Sequence, residues 1–290
     1  LGILIPPSIP MIMFAAATQN SVGRMFLGAM IPALLTIVLL ITYVVISCQL
    51  NPDRAPLDKE NTDVQPRTPK QKFVILRDGL SALLLIFVVL GSIISGIATP
   101  TESGAIGVVG AILLAILFKR FKPAMFQAAG FQTATLVSVA MWIIFGASVF
   151  SNFHLLMGVQ NMVAEITTGL DLPPIMIIIM FQLIMLLLGF IIDEFIIVLM
   201  CAPLFTPIAV SLGYDPIWFG VLMILNILIA VQTPPYGFAL FYLKGIAPPD
   251  VGMGEIYRSV TPFIALNLAV LILCMIFPEI VLWLPNKVMG

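Results

Sequence analysis

The chain has 290 residues, of which 61% are hydrophobic and 9% are charged, whereas a soluble domain is roughly a quarter charged. This composition excludes a water-soluble fold, and the balance of 13 Lys and Arg against 14 Asp and Glu excludes the basic field that nucleic-acid binding needs. We therefore expect an all-α polytopic membrane protein in a lipid bilayer, without a nucleic-acid partner.

The chain opens with a tandem proline inside an apolar run, LGILIPPSIPMIMF. Each proline removes a backbone donor and clashes with the preceding turn, so Pro6 and Pro7 predict unwound helix beside Ser8. Leu1 is not an initiator Met, and neither a basic n-region nor a cleavage site follows it. We expect a fragment that lacks the N-terminal part of its protein.

Apolar stretches of about 20 residues, long enough to cross a bilayer, follow along the chain. They lie at 25–49, 78–98, 130–151, 173–192, 195–212, 217–243 and 261–284, with a shorter run at 104–118. The long polar segment Asn51–Lys72 is rich in Pro and in mixed charge, which predicts a solvated loop. The predicted organisation is the end of a first repeat at 1–50, a loop at 51–77 and a second repeat at 78–290.

The Lys and Arg residues predict the orientation, because cytoplasmic loops retain positive charge. If the loop at 51–77 is cytoplasmic, eleven Lys and Arg lie inside and only Arg24 and Lys287 lie outside. We therefore predict a multi-pass membrane protein whose C-terminus lies on the side opposite the cytoplasm.

Two further polar features predict local structure. In GIATPTESGAIG, Thr99 or Thr101 is a candidate helix N-cap, with Glu102 in the first helical turn. His154 is the only histidine and has no nucleophile or second ligand near it in the sequence. We expect it to have neither a catalytic nor a metal-binding role.

Asp193 and Glu194 are the only acids within residues 172–214 and lie in a bend without Lys, Arg or a Pro/Gly turn pair. A carboxylate at the bilayer centre costs about 2.5–3.5 kcal/mol, so such residues usually serve a function. We expect residues 173–212 to form a re-entrant hairpin whose tip faces a water-filled site for a hard cation such as Na⁺. The alternatives are two ordinary spans with a cytoplasmic turn, and acids that cap the helix starting at Phe195.

A second tandem proline, Pro234–Pro235 in LIAVQTPPYGFALF, lies beside Thr233. Unwound backbone at membrane depth is tolerated only where it is buried in protein or lines a cavity. Two such breaks that cross in opposite directions are typical of an inverted-repeat transporter with ion sites near the midplane. The alternative is a packing kink, because Pro is common in transmembrane helices.

With these segments in order, the chain resembles the large, DctM-type subunit of the TRAP (tripartite ATP-independent periplasmic) transporters over all 290 residues. The motifs that carry the resemblance are LGILIPPSIPMI, GIATPTESGAIG, GFIIDEF, GYDPIWFGVLMILN, QTPPYGFALFYLKG and IFPEIVLWLP. The resemblance implies an elevator-type transporter with inverted repeats, two re-entrant hairpins and two broken helices, coupled to Na⁺. It also implies a location in the bacterial inner membrane with a periplasmic C-terminus, and two partners, a small TRAP membrane subunit and a periplasmic solute-binding protein.

On this resemblance, Asp193 matches the second hairpin tip, Thr233 the second broken helix and Ser8 the first. The first hairpin would lie upstream of Leu1. The candidate ion- and substrate-binding residues are Pro6, Pro7, Ser8, Asp193, Glu194, Gln232, Thr233, Pro234, Pro235 and Gly237. Thr233 is the candidate Na⁺ ligand, and no cofactor is expected beyond this coupling ion.

The leading hypothesis is therefore a large permease subunit that imports a carboxylate-bearing solute, such as a C4-dicarboxylate, with Na⁺. One alternative is a Na⁺/anion symporter that works without a binding protein. From a different class, an intramembrane hydrolase could use Asp193 or Glu194, but it would need a second catalytic group facing them.

Overall fold

The computed structural model describes residues 1–51, 69–159, 162–163, 165, 169, 172–234, 237–248 and 251–289. Over these residues every regular element is an α-helix. The helices are α1 Ile9–Ala17, α2 Val22–Leu50, α3 Pro69–Ile94, α4 Pro100–Leu117, α5 Pro123–Leu156, α6 Pro174–Leu188, α7 Glu194–Ser211, α8 Pro216–Ala230, α9 Phe238–Ile246, α10 Met253–Ile276 and α11 Glu279–Met289. Six of these helices, α2, α3, α4, α5, α7 and α10, are long and apolar enough to cross a membrane. The prediction of an all-α polytopic membrane protein is confirmed.

The polar loop is shorter than the sequence predicted. Helix α3 begins at Pro69, so the placement of residues 69–77 in the loop at 51–77 was wrong. Proline fits the first turn of a helix, where its missing N–H has no helical partner to lose, and the following residues contain no breaker before the apolar run. Residues 52–68 of the predicted loop lie outside the described residues.

The last predicted span, 261–284, was also wrong in its bounds. Helix α10 runs from Met253 to Ile276, and a separate helix, α11, follows it. Phe277 leaves the helical region, with φ −120° and ψ 81°, because the ring of Pro278 disfavours helical backbone in the residue before it. An apolar run measured by hydropathy alone does not detect this interruption.

The described residues form two compact units, which we describe separately. The first contains residues 1–38 and 135–290, and the second contains residues 39–134. In the second unit α3 packs along α4, where the Ser92 and Ser103 hydroxyls lie 2.8 Å apart. Thr99 and Glu102 form a reciprocal capping box at the start of α4, as the turn chemistry predicted. The boundaries of the inverted repeats stay a prediction.

Helix α8 is the centre of the first unit. Every residue from Ile217 to Ala230 is buried, and α1, α6, α7, α10 and α11 all pack against this helix. The approach of α1 is close because Gly220 leaves room for the Phe14 ring: an added Cβ would lie 2.4 Å from Phe14 Cε1. On the other side, Trp218 Nε1 donates to the Cys274 carbonyl of α10 at 2.7 Å. Because α8 is apolar on nearly all of its faces, it can be enclosed by other helices on every side.

Candidate functional site where the acid bend meets the second break

Two irregular segments meet at the end of the central helix. We name residues 189–193 the acid bend and residues 231–237 the second break. Gly189 lies against Ala230, the last residue of α8, so closely that an added Cβ at position 189 would be 2.4 Å from the Ala230 Cβ. The structure therefore places the two sequence-predicted segments next to each other.

The acid bend joins two helices that run back along each other. The Phe181 ring of α6 and the Phe205 ring of α7 stack with centroids 4.3 Å apart and planes inclined by 7°. Since these residues flank the bend on either side, α6 and α7 form an antiparallel pair. Helix α6 has 15 residues and is therefore about 22 Å long, which is shorter than the roughly 30 Å hydrocarbon core of a bilayer.

Asp193 is the N-cap of α7. Its Oδ1 accepts a hydrogen bond from the Phe195 backbone N–H at 2.9 Å, and Glu194 occupies the first turn. Carboxylates at these positions satisfy free N–H groups and complement the helix dipole. The capping interpretation weighed from the sequence is thus correct for one oxygen of Asp193, and that bond leaves Oδ2 of the same carboxylate outside the cap.

The second break interrupts the predicted span 217–243 where the tandem proline predicted it. After α8 ends, the Ala239 N–H donates to the Val231 carbonyl at 3.2 Å and the Gly237 N–H donates to the Thr233 carbonyl at 3.0 Å. Position 237 favours glycine because an added Cβ would lie 3.0 Å from the Val231 carbonyl oxygen, a tight contact. Pro234 is half-buried. Pro235 lies outside the described residues.

Thr233 and Gln232 of the second break each form one side-chain hydrogen bond to a neighbouring helix residue. The Thr233 hydroxyl donates to the Ile229 carbonyl at 2.7 Å, and Gln232 Oε1 accepts from Asn267 Nδ2 of α10 at 3.3 Å. Donation occupies the hydroxyl proton but not the oxygen lone pairs. The Thr233 oxygen therefore keeps the ability to accept a hydrogen bond or to coordinate a cation.

The first break precedes α1. Ser8 is buried, and its hydroxyl donates to the Ile3 carbonyl; Pro6 is buried and Pro7 is exposed. Because α1 packs on both α7 and α8, the first break belongs to the same unit as the acid bend and the second break.

Five buried polar residues of this unit were not predicted from the sequence. They are Thr36, Gln182, Thr206, Asn226 and Asn267. The signal that could have found them is a lone amide or hydroxyl within an apolar helix, which is costly to bury unless it is paired. Two of them, Asn226 and Gln182, are hydrogen-bonded to each other. Asn226 Nδ2 donates to the Gln182 backbone carbonyl at 2.8 Å and to Gln182 Oε1 at 2.9 Å.

Among the described residues no group of three or more His, Cys, Asp and Glu side chains could hold a metal ion. A cation at this site would therefore depend on carbonyl and hydroxyl oxygens with at most one or two carboxylates, which suits a hard ion of low charge.

Residues 1–280 match the model of one protein family, described as the Tripartite ATP-independent periplasmic transporter, DctM component. The chain belongs to the DctM family. It is 32% identical over 290 residues to the C4-dicarboxylate TRAP transporter large permease protein DctM of Pseudomonas aeruginosa, a match that covers 99% of this chain and 65% of that protein. The chain therefore spans just under two thirds of the length of this relative.

Other DctM-family relatives carry different substrate names. The chain is 27% identical over 292 residues to the sialic acid TRAP transporter large permease protein SiaM of Vibrio cholerae, covering 100% of this chain and 66% of that protein. It is 29% identical over 286 residues to the isethionate TRAP transporter permease protein DctMQ of Oleidesulfovibrio alaskensis, covering 97% of this chain and 43% of that protein. The family is described as a transporter component and not as an enzyme, so the comparisons give no support to the intramembrane hydrolase alternative.

Proposed function

We propose that the full-length protein is the large permease subunit of a Na⁺-coupled TRAP transporter that imports an organic anion across the bacterial inner membrane. The observation that carries this proposal is the contact of Gly189 in the acid bend with Ala230, the last residue of α8, directly before the second break. In inverted-repeat transporters the substrate and coupling-ion sites are formed by interrupted helices near the membrane midplane. Here such an interruption lies beside a helix-pair tip that carries Asp193 and Glu194.

The length of α6 supports a re-entrant hairpin for residues 173–212. A helix of 15 residues is too short to cross the hydrocarbon core without strong local thinning. A bend that stops inside the membrane must have its backbone enclosed by protein or facing water, and Gly189 is buried against α8. In this proposal Asp193 and Glu194 lie at the edge of an aqueous cavity and not in a cytoplasmic loop.

Thr233 is the central residue of the proposed Na⁺ site. Carbonyls of the turn before the tandem proline lose their usual helical donors and accept instead from other backbone N–H groups, as the Val231 carbonyl does from the Ala239 N–H at 3.2 Å. A carbonyl oxygen keeps a second lone pair, and the Thr233 oxygen adds a hydroxyl ligand. Oxygens of this kind can replace the hydration shell of an alkali cation. Ser8 at the first break, together with Pro6 and Pro7, would supply the equivalent chemistry for the first repeat.

The proposed solute is an anion that bears a carboxylate or a similar acidic group. The names of the three relatives above refer to a C4-dicarboxylate, sialic acid and isethionate, and all three compounds are anions at neutral pH. Because the three compounds differ in size and shape, they support an anionic solute but do not indicate which anion is transported. The proposed partners are a small TRAP membrane subunit and a periplasmic solute-binding protein.

The test is uptake by the complete three-component system in proteoliposomes, measured against Na⁺ concentration. Thr233→Val keeps the side-chain shape and removes the hydroxyl, so we expect the Na⁺ half-saturation to rise about 5-fold, which corresponds to about 1 kcal/mol. Thr36→Val is the matched control because the buried Thr36 hydroxyl makes the same bond to the carbonyl four residues earlier, at 2.8 Å, on helix α2.

An unchanged half-saturation in Thr233→Val, or an equal rise in Thr36→Val, would remove Thr233 from the ion site. Omitting the binding protein separates the two transport hypotheses. Loss of uptake supports the three-component system, and undiminished uptake supports a symporter that works without a binding protein.

A further inference from the structure

A group of charged side chains lies within the second unit, between the end of α4 and the start of α5 and beside the first turns of α3. Four of the side chains are basic and one is acidic. We name them together the basic cluster: Arg77, Asp78, Lys119, Arg120 and Lys122. None of these residues belongs to the proposed ion site.

The basic cluster lies at a membrane boundary of α3 and α4. The two helices run antiparallel, because Ser92 meets Ser103 near one end of the pair and the Arg77 guanidinium lies 4.4 Å from the Phe118 ring centroid at the other end. Helix α4 has 18 residues and is therefore about 27 Å long, close to the roughly 30 Å thickness of the hydrocarbon core. The capped turn at Thr99 and the basic cluster thus lie at opposite faces of that core.

The carboxylate of Asp78 shows that two guanidinium groups of this cluster converge on one anion. Asp78 Oδ1 lies 2.8 Å from Arg77 Nη2, and Asp78 Oδ2 lies 3.2 Å from Arg120 Nη2. Both arginine side chains remain exposed. A guanidinium group binds the oxygens of a phosphate as it binds those of a carboxylate, so the arginines can also hold a phosphate from outside the chain.

The charges of the cluster do not balance. Four positive charges against one negative charge leave a net charge of +3, and within the part of the chain that the structure describes neither Lys119 nor Lys122 forms a salt bridge. The neighbouring polar segment Asn51–Lys72 has five Lys and Arg and four Asp and Glu, so it brings no net negative charge. The cluster therefore attracts anions from its surroundings.

Two aromatic side chains accompany the cations. Phe121 and Phe126 are 38% and 55% exposed, and their ring centroids lie 6.3 Å apart. Exposed aromatic rings beside Lys and Arg are typical of surfaces that enter the headgroup layer of a membrane. A soluble anion would leave both rings in water, whereas a lipid would cover them with its acyl chains.

We infer that the basic cluster binds the headgroup phosphate of an anionic phospholipid, with Phe121 and Phe126 against the upper part of its acyl chains. Clusters of four or more Lys and Arg directly beside a membrane-spanning helix are attracted to anionic lipids. A zwitterionic lipid also carries a phosphate, but its ammonium group adds a positive charge beside the cluster. The cluster therefore prefers a lipid with a net negative charge.

The experiment is photolabelling of the purified full-length permease in phosphatidylcholine nanodiscs, with a phosphatidylglycerol that carries a diazirine on the upper part of one acyl chain. Mass spectrometry should find the label on peptides that contain Phe121 or Phe126. We expect unlabelled phosphatidylglycerol to displace the label at a mole fraction at least about 10-fold lower than phosphatidylethanolamine. One cation near an anionic surface contributes about 5-fold, so Arg120→Gln should weaken phosphatidylglycerol binding by about this factor.

Asp78→Asn provides a test that a misfolded variant cannot imitate. It removes the anion that competes for the two arginines, so phosphatidylglycerol should bind about 5-fold more tightly. Arg258→Gln is the matched control, because Arg258 is an exposed arginine of the first unit, also predicted on the cytoplasmic side, with Glu255 one turn before it. It should leave the labelling unchanged.

Four results would overturn the inference. They are equal displacement by phosphatidylglycerol and phosphatidylethanolamine, weaker binding in Asp78→Asn, an equal loss in Arg258→Gln and Arg120→Gln, and displacement of the label by millimolar glycerol phosphate, which would indicate a site for a soluble anion. Complete protection of the two peptides by the small membrane subunit would also overturn it, because the cluster would then be a protein interface.

Discussion

Replacing Gly189 with alanine tests whether the acid bend rests on the end of α8. The added Cβ would lie 2.4 Å from the Ala230 Cβ and 3.3 Å from the Met185 carbonyl oxygen. Ordinary van der Waals contact begins near 3.4 Å, so the bend and the helix end must separate by about 1 Å. Overpacking of this kind costs about 1–3 kcal/mol, and we expect Gly189→Ala to lower the stability of the full-length permease by this amount.

The contact also predicts a specific rescue. Ala230→Gly removes the methyl group that the new Cβ would strike, so the double variant Gly189→Ala/Ala230→Gly moves one methyl across the contact. We expect a coupling of about 1–2 kcal/mol between the two substitutions in a double-mutant cycle. Gly245→Ala is the matched control, because an added Cβ at this position in α9 has nothing within 4 Å, and it should be neutral or stabilising by up to about 1 kcal/mol.

The assay is thermal unfolding of the purified permease in detergent micelles, followed by uptake in proteoliposomes. If Gly189→Ala is as stable as the wild type, or if the two substitutions act independently, the acid bend does not lie on Ala230. The contact that carries the proposed function would then be absent.

Three further expectations follow from the packing and the charge pattern. Gly220→Ala should destabilise the permease by about 1–3 kcal/mol in thermal unfolding, because its Cβ would lie 2.4 Å from the Phe14 ring, and Phe14→Leu should restore part of the loss. Trp218→Phe should cost about 1–2 kcal/mol by the same measurement, since it leaves a buried carbonyl of α10 without its 2.7 Å donor. A cysteine at Asn286 should react in whole cells with a membrane-impermeant reagent and one at Asp63 should not, and the reverse pattern would contradict the predicted topology.

Features that depend on neighbouring residues could be predicted from the sequence. The second break follows from tandem proline, and the capping box at Thr99 and Glu102 follows from a side chain three residues from its partner. Proline and capping residues act within one or two helical turns, so their effect is present in the local sequence. The position of the second break and the cap of α4 could therefore be predicted from the sequence, and the role of the second break in ion binding stays a prediction.

Features that depend on tertiary contacts could not be predicted. Gly189 and Ala230 lie 41 positions apart, and their contact depends on how α6 returns along α8. The amide pair of Gln182 and Asn226, separated by 44 positions, has the same origin. The interruption at Phe277 was missed for a different reason. An apolar run indicates that a segment lies in the membrane, but it does not indicate where the helical hydrogen bonding of that segment is interrupted.

The two roles of Asp193 left open by the sequence can be separated by keeping the cap and removing the charge. Asparagine caps helices about as well as aspartate, whereas alanine at the N-cap costs about 0.5–2 kcal/mol. Asp193→Asn should therefore keep the bond to the Phe195 N–H, which is 2.9 Å long, and keep the stability within about 0.5 kcal/mol of the wild type. Under the proposed function its uptake should still fall about 5-fold or more, because a neutral amide attracts a cation less than a carboxylate does. Asp193→Ala should lose both stability and uptake. If Asp193→Asn transports like the wild type while Asp193→Ala is destabilised, the carboxylate serves only as the cap of α7.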